Sequence, residues 1–202
     1  MHFLISFFGK GGKDSFRLVE GVLYNVEGKI SFCAQGFDKV GDVEIICFEL
    51  GIVPDVSHAS EQSVDDLLPI AYACGKPFIA THSNSHALYP HTRNLRDRHF
   101  AAIKELGGIV GVSLCPPHLM DTSIRPATAE DVFAHVDYYL SIGGEDMVGF
   151  GADWDGTDLP QGFTNVGHLE QVAEVMARHN YSEELIHKLL WKNFYNFAIK
   201  NL

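Results

Sequence analysis

The sequence predicts an α/β fold in which short parallel strands alternate with helices. Apolar runs of strand length occur at residues 52–57, 77–81, 109–114 and 147–152, and a helical pattern follows each run. Repeated strand–helix units imply a parallel sheet with right-handed crossovers. A closed eight-stranded barrel needs about 250 residues, so 202 residues favour an incomplete array of about four to five strands.

The first helix is predicted to follow the run at 52–57. Ser60 is a suitable N-cap for a segment that is acidic at its start and apolar up to Ala73. Gly75 then ends the helix before the second run begins.

Two further helices are predicted from their caps. Asn94 is a suitable N-cap for a helix from Leu95 to Leu106, and two glycines follow that helix. Thr128 and Asp131 have the spacing of a capping box, which opens a helix ending near Ile142. Each helix precedes one of the later apolar runs, as a βα alternation requires.

The sequence pattern predicts clear helices near the C-terminus but no definite secondary structure in the first 50 residues. Two amphipathic helices are predicted near 166–178 and 182–199. In residues 1–50, the segments 15–26 and 43–50 fit either a helix or a strand. The apolar segment Met1–Phe8 is predicted to add a strand, or else the chain is expected to self-associate through an open sheet edge.

Composition excludes several classes of partner. The formal charge of −11 argues against nucleic acid, which requires clustered Lys and Arg, and against anionic membrane surfaces. A hydrophobic fraction of 46% and a charged fraction of 20% are typical of a soluble domain. The four cysteines show no Cys-x-x-Cys pair, so we expect buried cysteines and a reducing, cytoplasmic location.

Metal-capable side chains stand at the ends of three predicted strands. His58 follows the first run, His82 follows the second, and Asp153 follows the last. The carboxyl ends of parallel strands meet at one edge, where neighbouring strands lie about 4.8 Å apart. Imidazole is a preferred zinc ligand. The pattern therefore predicts a metal-dependent hydrolase with these groups at one sheet edge.

Four motifs carry a resemblance to a known family: Asp55-Val56-Ser57-His58, Thr81-His82-Ser83-Asn84, Pro90-His91-Thr92-Arg93-Asn94-Leu95 and Gly149-Phe150-Gly151-Ala152-Asp153-Trp154-Asp155-Gly156. In order and spacing they resemble the renal (membrane) dipeptidases, the zinc peptidases of family M19. The resemblance implies a TIM-barrel-like fold and a two-zinc site that hydrolyses dipeptides. Residues 51–202 then correspond to the C-terminal part of such a barrel, and residues 1–50 form a diverged N-terminal segment.

The resemblance also implies roles for individual residues. It makes His58 and His82 zinc ligands, Arg93 the partner of the substrate carboxylate, and Asp153 the catalytic acid/base. These roles agree with chemistry, since arginine pairs bidentately with carboxylates and a carboxylate at a metal site can move a proton to a leaving amine. Asp155 has two possible roles, either as a turn residue or as a residue that supports the site from behind the ligands.

The chain departs from the family pattern in the other metal's ligands. No His-x-Asp element precedes His58, and the literal His135-Val136-Asp137 lies in a predicted helix, where residues two apart diverge. We therefore expect His135 on the helix surface. Glu27 faintly matches the setting of the family's bridging glutamate, but it lies only 31 residues before His58.

Three interpretations of function follow from the incomplete ligand set. The first is a zinc-dependent dipeptidase, and the second is a catalytically inactive homologue or fragment. Dipeptide turnover distinguishes these two. The third keeps the hydrolase but changes the substrate to another amide or ester, since fold alone does not determine the reaction. We expect one zinc ion or none in this chain. The other histidines are expected in loops or on helix surfaces: His86, His91, His99, His118 and His168.

Overall fold

The computed structural model describes residues 47–201 in full and the backbone of residues 16–19, 22–25 and 31–33. The fold is mixed α/β. The strands are β1 (Phe16–Val19), β2 (Val22–Asn25), β3 (Ser31–Cys33), β4 (Val110–Val112) and β5 (Val148–Phe150). The helices are α1 (Glu61–Cys74), α2 (Asp97–Glu105), α3 (Pro116–Leu119), α4 (Ala129–Ser141), α5 (Glu170–Arg178), α6 (Glu183–His187) and α7 (Asn193–Asn201). A 3₁₀ turn, Val166–Leu169, leads into α5, and a π segment, Lys188–Lys192, joins α6 to α7.

Four segments run parallel in the order that the sequence predicted. β4 pairs with β5, and single parallel bridges join Asp55 to Ile79 and Ala80 to Val110. The predicted adjacency is therefore confirmed. The predicted strand lengths are not, because in the described part of the chain only β4 and β5 extend beyond one bridge in this parallel set. A TIM-barrel-like arrangement stays a prediction.

The ladder between the first two segments ends at Thr81. Ile79 donates to the Pro54 carbonyl and Val56 donates to the Ile79 carbonyl, as in a regular parallel pair. The next donor, the Thr81 N–H, instead donates to the Asp55 carboxylate, at 3.0 Å. A side chain thus replaces the next ladder bond, which explains why the pairing stops after one bridge.

Two glycines allow the strand ends to approach closely. A Cβ on Gly111 or on Gly151 would overlap the carbonyl oxygen of Thr81. Gly111 also donates to the Ala80 carbonyl, and Gly151 donates to the Val112 carbonyl. Glycine is needed at both positions because no side chain fits between these backbones. The approach holds the residue before His82 against the neighbouring strands.

The helices pack on this small sheet around one main core. Fully buried side chains from α1, α2, α4 and α5 meet residues of β4 and β5 there. Representative members are Leu67, Ile103, Val132, Val148 and Val172. Burying an aliphatic side chain of this size is worth about 1.5–3 kcal/mol, so the core orders the sheet edge that carries the histidines.

The predicted caps are right for two helices and wrong for one. Ser60 caps α1 by accepting from the Ser63 N–H, and Gly75 ends it with a φ of 59°. Asp131 accepts from the Thr128 N–H at the start of α4, as the capping box predicted. Asn94 is not the N-cap of α2. That helix starts after Arg96, since the Asn94 amide donates to carbonyls in the loop before it.

The described part of the N-terminal region is an antiparallel meander, in which β2 pairs with both β1 and β3. The sequence pattern of residues 15–26 and 43–50 fits either a helix or a strand. The structure shows strands within 15–26 and a helical segment at Cys47–Glu49. Met1–Phe8 lies outside the described residues.

Among the described residues, no helix has the length and apolar character to cross a membrane. Cys47 and Cys115 are buried as expected, but Cys74 is exposed at the end of α1.

Replacing Gly151 by alanine should destabilise the protein by about 1–3 kcal/mol, the usual cost of overpacking. The added methyl group has to displace the Thr81 carbonyl, and His82 moves with it. Urea denaturation measures the first effect, and the imidazole NMR signals of His82 report the second.

Gly149→Ala, two residues earlier in the chain, is the matched control. Its Cβ would meet the Phe194 ring and not Thr81, so it should lower stability while leaving the His82 signals in place. Unchanged stability of Gly151→Ala would contradict the close approach.

Candidate active site at the strand ends

His58 and His82 come together where the first two parallel segments end. Their Nε2 atoms lie 2.8 Å apart and their ring centroids 4.8 Å apart. This is well inside the limit of about 10 Å, twice the spacing of neighbouring strands. His82 is buried, with 7% of its surface exposed, and His58 is half-buried. The predicted convergence of the two histidines is confirmed.

A hydrogen-bond chain orients the His82 ring. The Thr81 hydroxyl donates to Asp55 Oδ2 at 2.5 Å, and Thr81 Oγ1 lies 2.8 Å from His82 Nδ1. Asp55 Oδ1 accepts from the backbone N–H groups of Ser57 and Thr81. Ser57 Oγ accepts from the His82 N–H at 2.9 Å. Asp55 and Thr81 lie in two of the family motifs, although the sequence alone indicates no function for either.

Arg93 reaches the histidine pair from the loop after His82. Its Nη2 donates to His58 Nε2 at 2.9 Å, and its Nε donates to the Ser57 carbonyl at 3.3 Å. Because arginine carries only donors, His58 Nε2 is the acceptor and bears a lone pair. The predicted carboxylate-binding residue therefore contacts one predicted metal ligand directly.

The loop between His82 and Arg93 is fixed by buried polar groups. Asn84 exchanges two hydrogen bonds with the backbone of Ser113, at the end of β4. Tyr139 of α4 donates to the Ser83 carbonyl. The Asn94 amide donates to the carbonyls of Tyr89 and His118. These bonds join the loop to three neighbouring elements and anchor it on both sides of Arg93.

His135 corrects an expectation from the sequence. It is fully buried and not on the helix surface. Its Nδ1 accepts from the Ser85 N–H and its Nε2 lies 3.0 Å from the Leu119 carbonyl, so α4 is tied to the loop after His82. Asp137 points away and is exposed, where it accepts from Tyr181. The two residues of this His-x-Asp sequence therefore cannot share one ion, as predicted.

Asp153 follows β5 in an unusual backbone conformation. Its φ is 58°, in the left-handed region that few residues other than glycine adopt. A Cβ on Gly156 would overlap the Asp153 carboxylate, and the Gly156 N–H donates to the Asp153 carbonyl. A tight turn thus holds this half-buried carboxylate close enough to act electrostatically on both histidines.

Both candidate ligands favour the neutral imidazole. Burial lowers the pKa of His58, and the Arg93 cation lowers it further, while Asp55 and Asp153 oppose the shift. Burial likewise lowers the pKa of His82. Neutral imidazole is the form that binds metal ions, so the electrostatics favour metal-competent side chains.

A second histidine pair lies beside the site. The rings of His91 and His118 are 4.7 Å apart between centroids, and His91 Nδ1 accepts from the Arg93 N–H. Burial lowers the pKa of His118 to about 4, with further contributions from the positive charges of His91 and Arg93. Both residues lie in loops or at a short helix, as expected. His99 does not lie on the surface: it is buried and bonds to Asp65 at 2.7 Å.

The donor set fits a metal ion in part. Two imidazoles with lone pairs at facing Nε2 atoms are suitable ligands for zinc. Among residues 47–201 and the three N-terminal strands, no group of three or more His, Cys, Asp or Glu side chains is arranged to hold an ion. Glu27 lies outside the described residues. His58 and His82 thus fit as two ligands of a site that requires more.

Comparison with known proteins assigns the family. The family model for membrane dipeptidase (peptidase family M19) matches residues 28–198. The chain belongs to this family. A protein of Klebsiella pneumoniae, described as an uncharacterized protein in the pqqA 5′ region, is 34% identical over 84% of this chain and 60% of its own length. Dipeptidase tcpJ of Claviceps purpurea is 32% identical over 79% of this chain and 36% of its own.

Solved structures place the fold in the same family. A family M19 metallopeptidase, dipeptidase AC, is 36% identical with a TM-score of 0.73, and the match covers 80% of this chain and 46% of that one. A Rhodobacter sphaeroides metallopeptidase, solved with a phosphinate mimic of the dipeptide L-Ala-D-Ala, matches with the same identity, TM-score and coverage. This M19 chain spans between about a third and three fifths of the length of these relatives.

Replacing His118 by glutamine should flatten the loss of stability at acidic pH. Native His118 stays neutral down to about pH 4, whereas the unfolded chain binds a proton near pH 6.5. The unfolded state therefore binds more protons between these values, and acidification across this window favours unfolding. Glutamine removes that contribution, so the stability difference between pH 7 and pH 4.5 should shrink by about 1 kcal/mol after allowance for solvent screening.

Urea titrations at both pH values measure this difference. His187→Gln is the control, because His187 is exposed on α6 and far less buried than His118. Parallel pH profiles for the parent and His118→Gln would show that this histidine protonates as readily in the folded state as in the unfolded chain.

Proposed function

We propose that this chain hydrolyses the peptide bond of dipeptides in a zinc-dependent reaction. One observation carries the proposal: His58 Nε2 lies within 2.9 Å of both His82 Nε2 and Arg93 Nη2. Two metal-capable imidazoles and a carboxylate-binding cation therefore share one point at the sheet edge. Membership of the M19 family and the dipeptide mimic in a 36%-identical relative support the choice of substrate.

Each side chain has a proposed role. His58 and His82 hold zinc, which when bound lowers the pKa of a water molecule and polarises a carbonyl. Arg93 pairs with the free carboxylate of the dipeptide, as its planar fork favours. Asp153 takes a proton from the attacking water and delivers it to the leaving amine. The tight turn at Asp153 supports this role, because it holds the carboxylate close enough to act electrostatically on both histidines.

A second candidate is a non-catalytic homologue. In the described part of the chain only two metal-capable ligands converge, and Arg93 engages the lone pair of one of them. A catalytic zinc site normally has three protein ligands. The TIM-barrel-like arrangement, a content of one zinc ion or none, self-association and a cytoplasmic location also stay predictions.

Dipeptide turnover with added zinc distinguishes the two candidates. Asp153→Asn should lower kcat by about a hundredfold or more, since a positioned acid/base contributes 10²–10⁴. His82→Ala should lose both zinc and turnover. The matched controls are His187→Ala and Asp66→Asn, two exposed residues on α6 and α1. Parent turnover equal to that of His82→Ala would favour the non-catalytic homologue.

Arg93→Ala should change zinc binding and dipeptide use in opposite directions. Removal of the guanidinium frees the His58 lone pair and takes a positive charge from the metal position, so zinc affinity should rise. Loss of a charged hydrogen bond to the substrate carboxylate should lower kcat/KM by about ten- to a hundredfold.

Zinc affinity is measured by competition with a chromophoric chelator, and kcat/KM with the dipeptide. Arg98→Ala is the control, because Arg98 is half-exposed and pairs with Glu61 and Asp65 away from the histidines. A fall in both quantities for Arg93→Ala would mean that Arg93 supports the fold of the site and does not bind substrate.

A further inference from the structure

Asp55 and Thr81 form a relay behind His82 whose direction follows from proton counting. Thr81 has one hydroxyl proton, and it is given to Asp55 Oδ2 across 2.5 Å. Thr81 Oγ1 is 2.8 Å from His82 Nδ1 and has no second proton to donate. Thr81 Oγ1 therefore accepts from His82 Nδ1–H, which leaves the lone pair of neutral His82 on Nε2. His58 Nε2 also bears a lone pair, because it accepts from Arg93, so on this count no proton lies in the 2.8 Å between the two Nε2 atoms.

We propose that Asp55 and Thr81 are positioning residues that set the His82 tautomer, so that its Nε2 lone pair faces His58. The inference rests on the proposed role of His82 as a metal ligand. A ligand histidine usually donates its other N–H to a carboxylate, a carbonyl or water. Here the Thr81 hydroxyl lies between the imidazole and the carboxylate. Replacing one carboxylate oxygen of residue 55 by an NH₂ group would reverse the direction in which that hydroxyl donates.

The surroundings of Asp55 make its orientation unambiguous. Asp55 is buried, and its Oδ1 accepts from the N–H groups of Ser57 and Thr81. Only an oxygen can occupy that position, because both neighbours are donors. In Asp55→Asn the carbonyl oxygen must stay there, and the new NH₂ group must face Thr81 Oγ1.

Asp55→Asn should therefore reverse the relay. The amide then donates to Thr81 Oγ1, and the hydroxyl donates to His82 Nδ1 at 2.8 Å in preference to Ser57 Oγ at 3.4 Å. The imidazole proton moves to Nε2. The lone pair no longer faces His58. We expect zinc affinity to fall by about ten- to a hundredfold, the usual cost of losing such an outer partner.

Thr81→Val and Thr81→Ser separate the relay from simple packing. Valine keeps the shape but has no hydroxyl, so His82 should populate both tautomers and zinc affinity should fall about tenfold. Serine keeps the hydroxyl and should restore the parent tautomer and affinity. In the Asp55→Asn background, Thr81→Val should raise zinc affinity. It removes the hydroxyl that donates to Nδ1 and thereby keeps the imidazole proton on Nε2.

The measurement is the ¹⁵N chemical shift pattern of His82 in the full metal-free chain, recorded about two pH units above the ordinary histidine pKa. Zinc alone is the probe for affinity, by competition with a chromophoric chelator. The expected result is an Nδ1–H tautomer in the parent and in Thr81→Ser, an Nε2–H tautomer in Asp55→Asn, and a mixture in Thr81→Val.

The relay would be overturned by a parent His82 with its proton on Nε2, or by an Asp55→Asn tautomer identical to the parent's. It would also be overturned if Thr81→Val lowered zinc affinity further in the Asp55→Asn background. These outcomes are separate from the proposed hydrolysis. A parent chain with the expected tautomer and zinc response but no dipeptide turnover would sink the proposed function and leave the relay intact.

Discussion

The Asp55 carboxylate joins the two strand ends on which the site depends. It accepts two backbone N–H groups and one hydroxyl, one of the N–H groups from its own segment and the other two donors from Thr81 on the next. A buried carboxylate is costly unless it is hydrogen-bonded, and charge-assisted bonds are about twice as strong as neutral ones. This set of bonds ends the parallel ladder and aligns His58 with His82.

Close backbone packing completes the alignment. The Thr81 carbonyl lies against Gly111 and Gly151 from the neighbouring strands, so the residue before His82 is confined by glycines on one side and a carboxylate on the other. The loop that follows is held by α4 through His135 and Tyr139. Closely packed interiors resist small displacements, because backbone and side chains have little free space to move into. The position of the histidine pair therefore depends on packing along the whole sheet edge.

Electrostatics at the edge are balanced between opposing charges. Arg93 lowers the pKa of His58 and of His82, whereas Asp55 and Asp153 act in the other direction. Burial dominates for both rings. The arrangement favours neutral imidazoles, the form that binds metal ions, beside one cation that suits a carboxylate ligand. Family membership and geometry thus indicate the same chemistry.

Local sequence determined the features that depend on near neighbours. The cap at Ser60, the capping box at Thr128 and the βα alternation followed from residues a few positions apart, and the motifs identified the M19 family. Motif order also identified His58 and His82 as a pair. Asn94 is not an N-cap because its amide donates instead to the carbonyls of Tyr89 and His118, which the tertiary fold brings to it.

Only the tertiary structure decided what lies between residues distant in sequence. It placed His135 in the core and not on the surface, since both of its ring nitrogens meet backbone groups of other segments. It also revealed the Asp55–Thr81 link and the contact of Arg93 with His58, which span 26 and 35 residues. Periodicity reports which face of an element is apolar, but hydrogen bonds form between whichever donors and acceptors packing brings within about 3 Å. That proximity is set by the assembled sheet edge, and no local pattern encodes it.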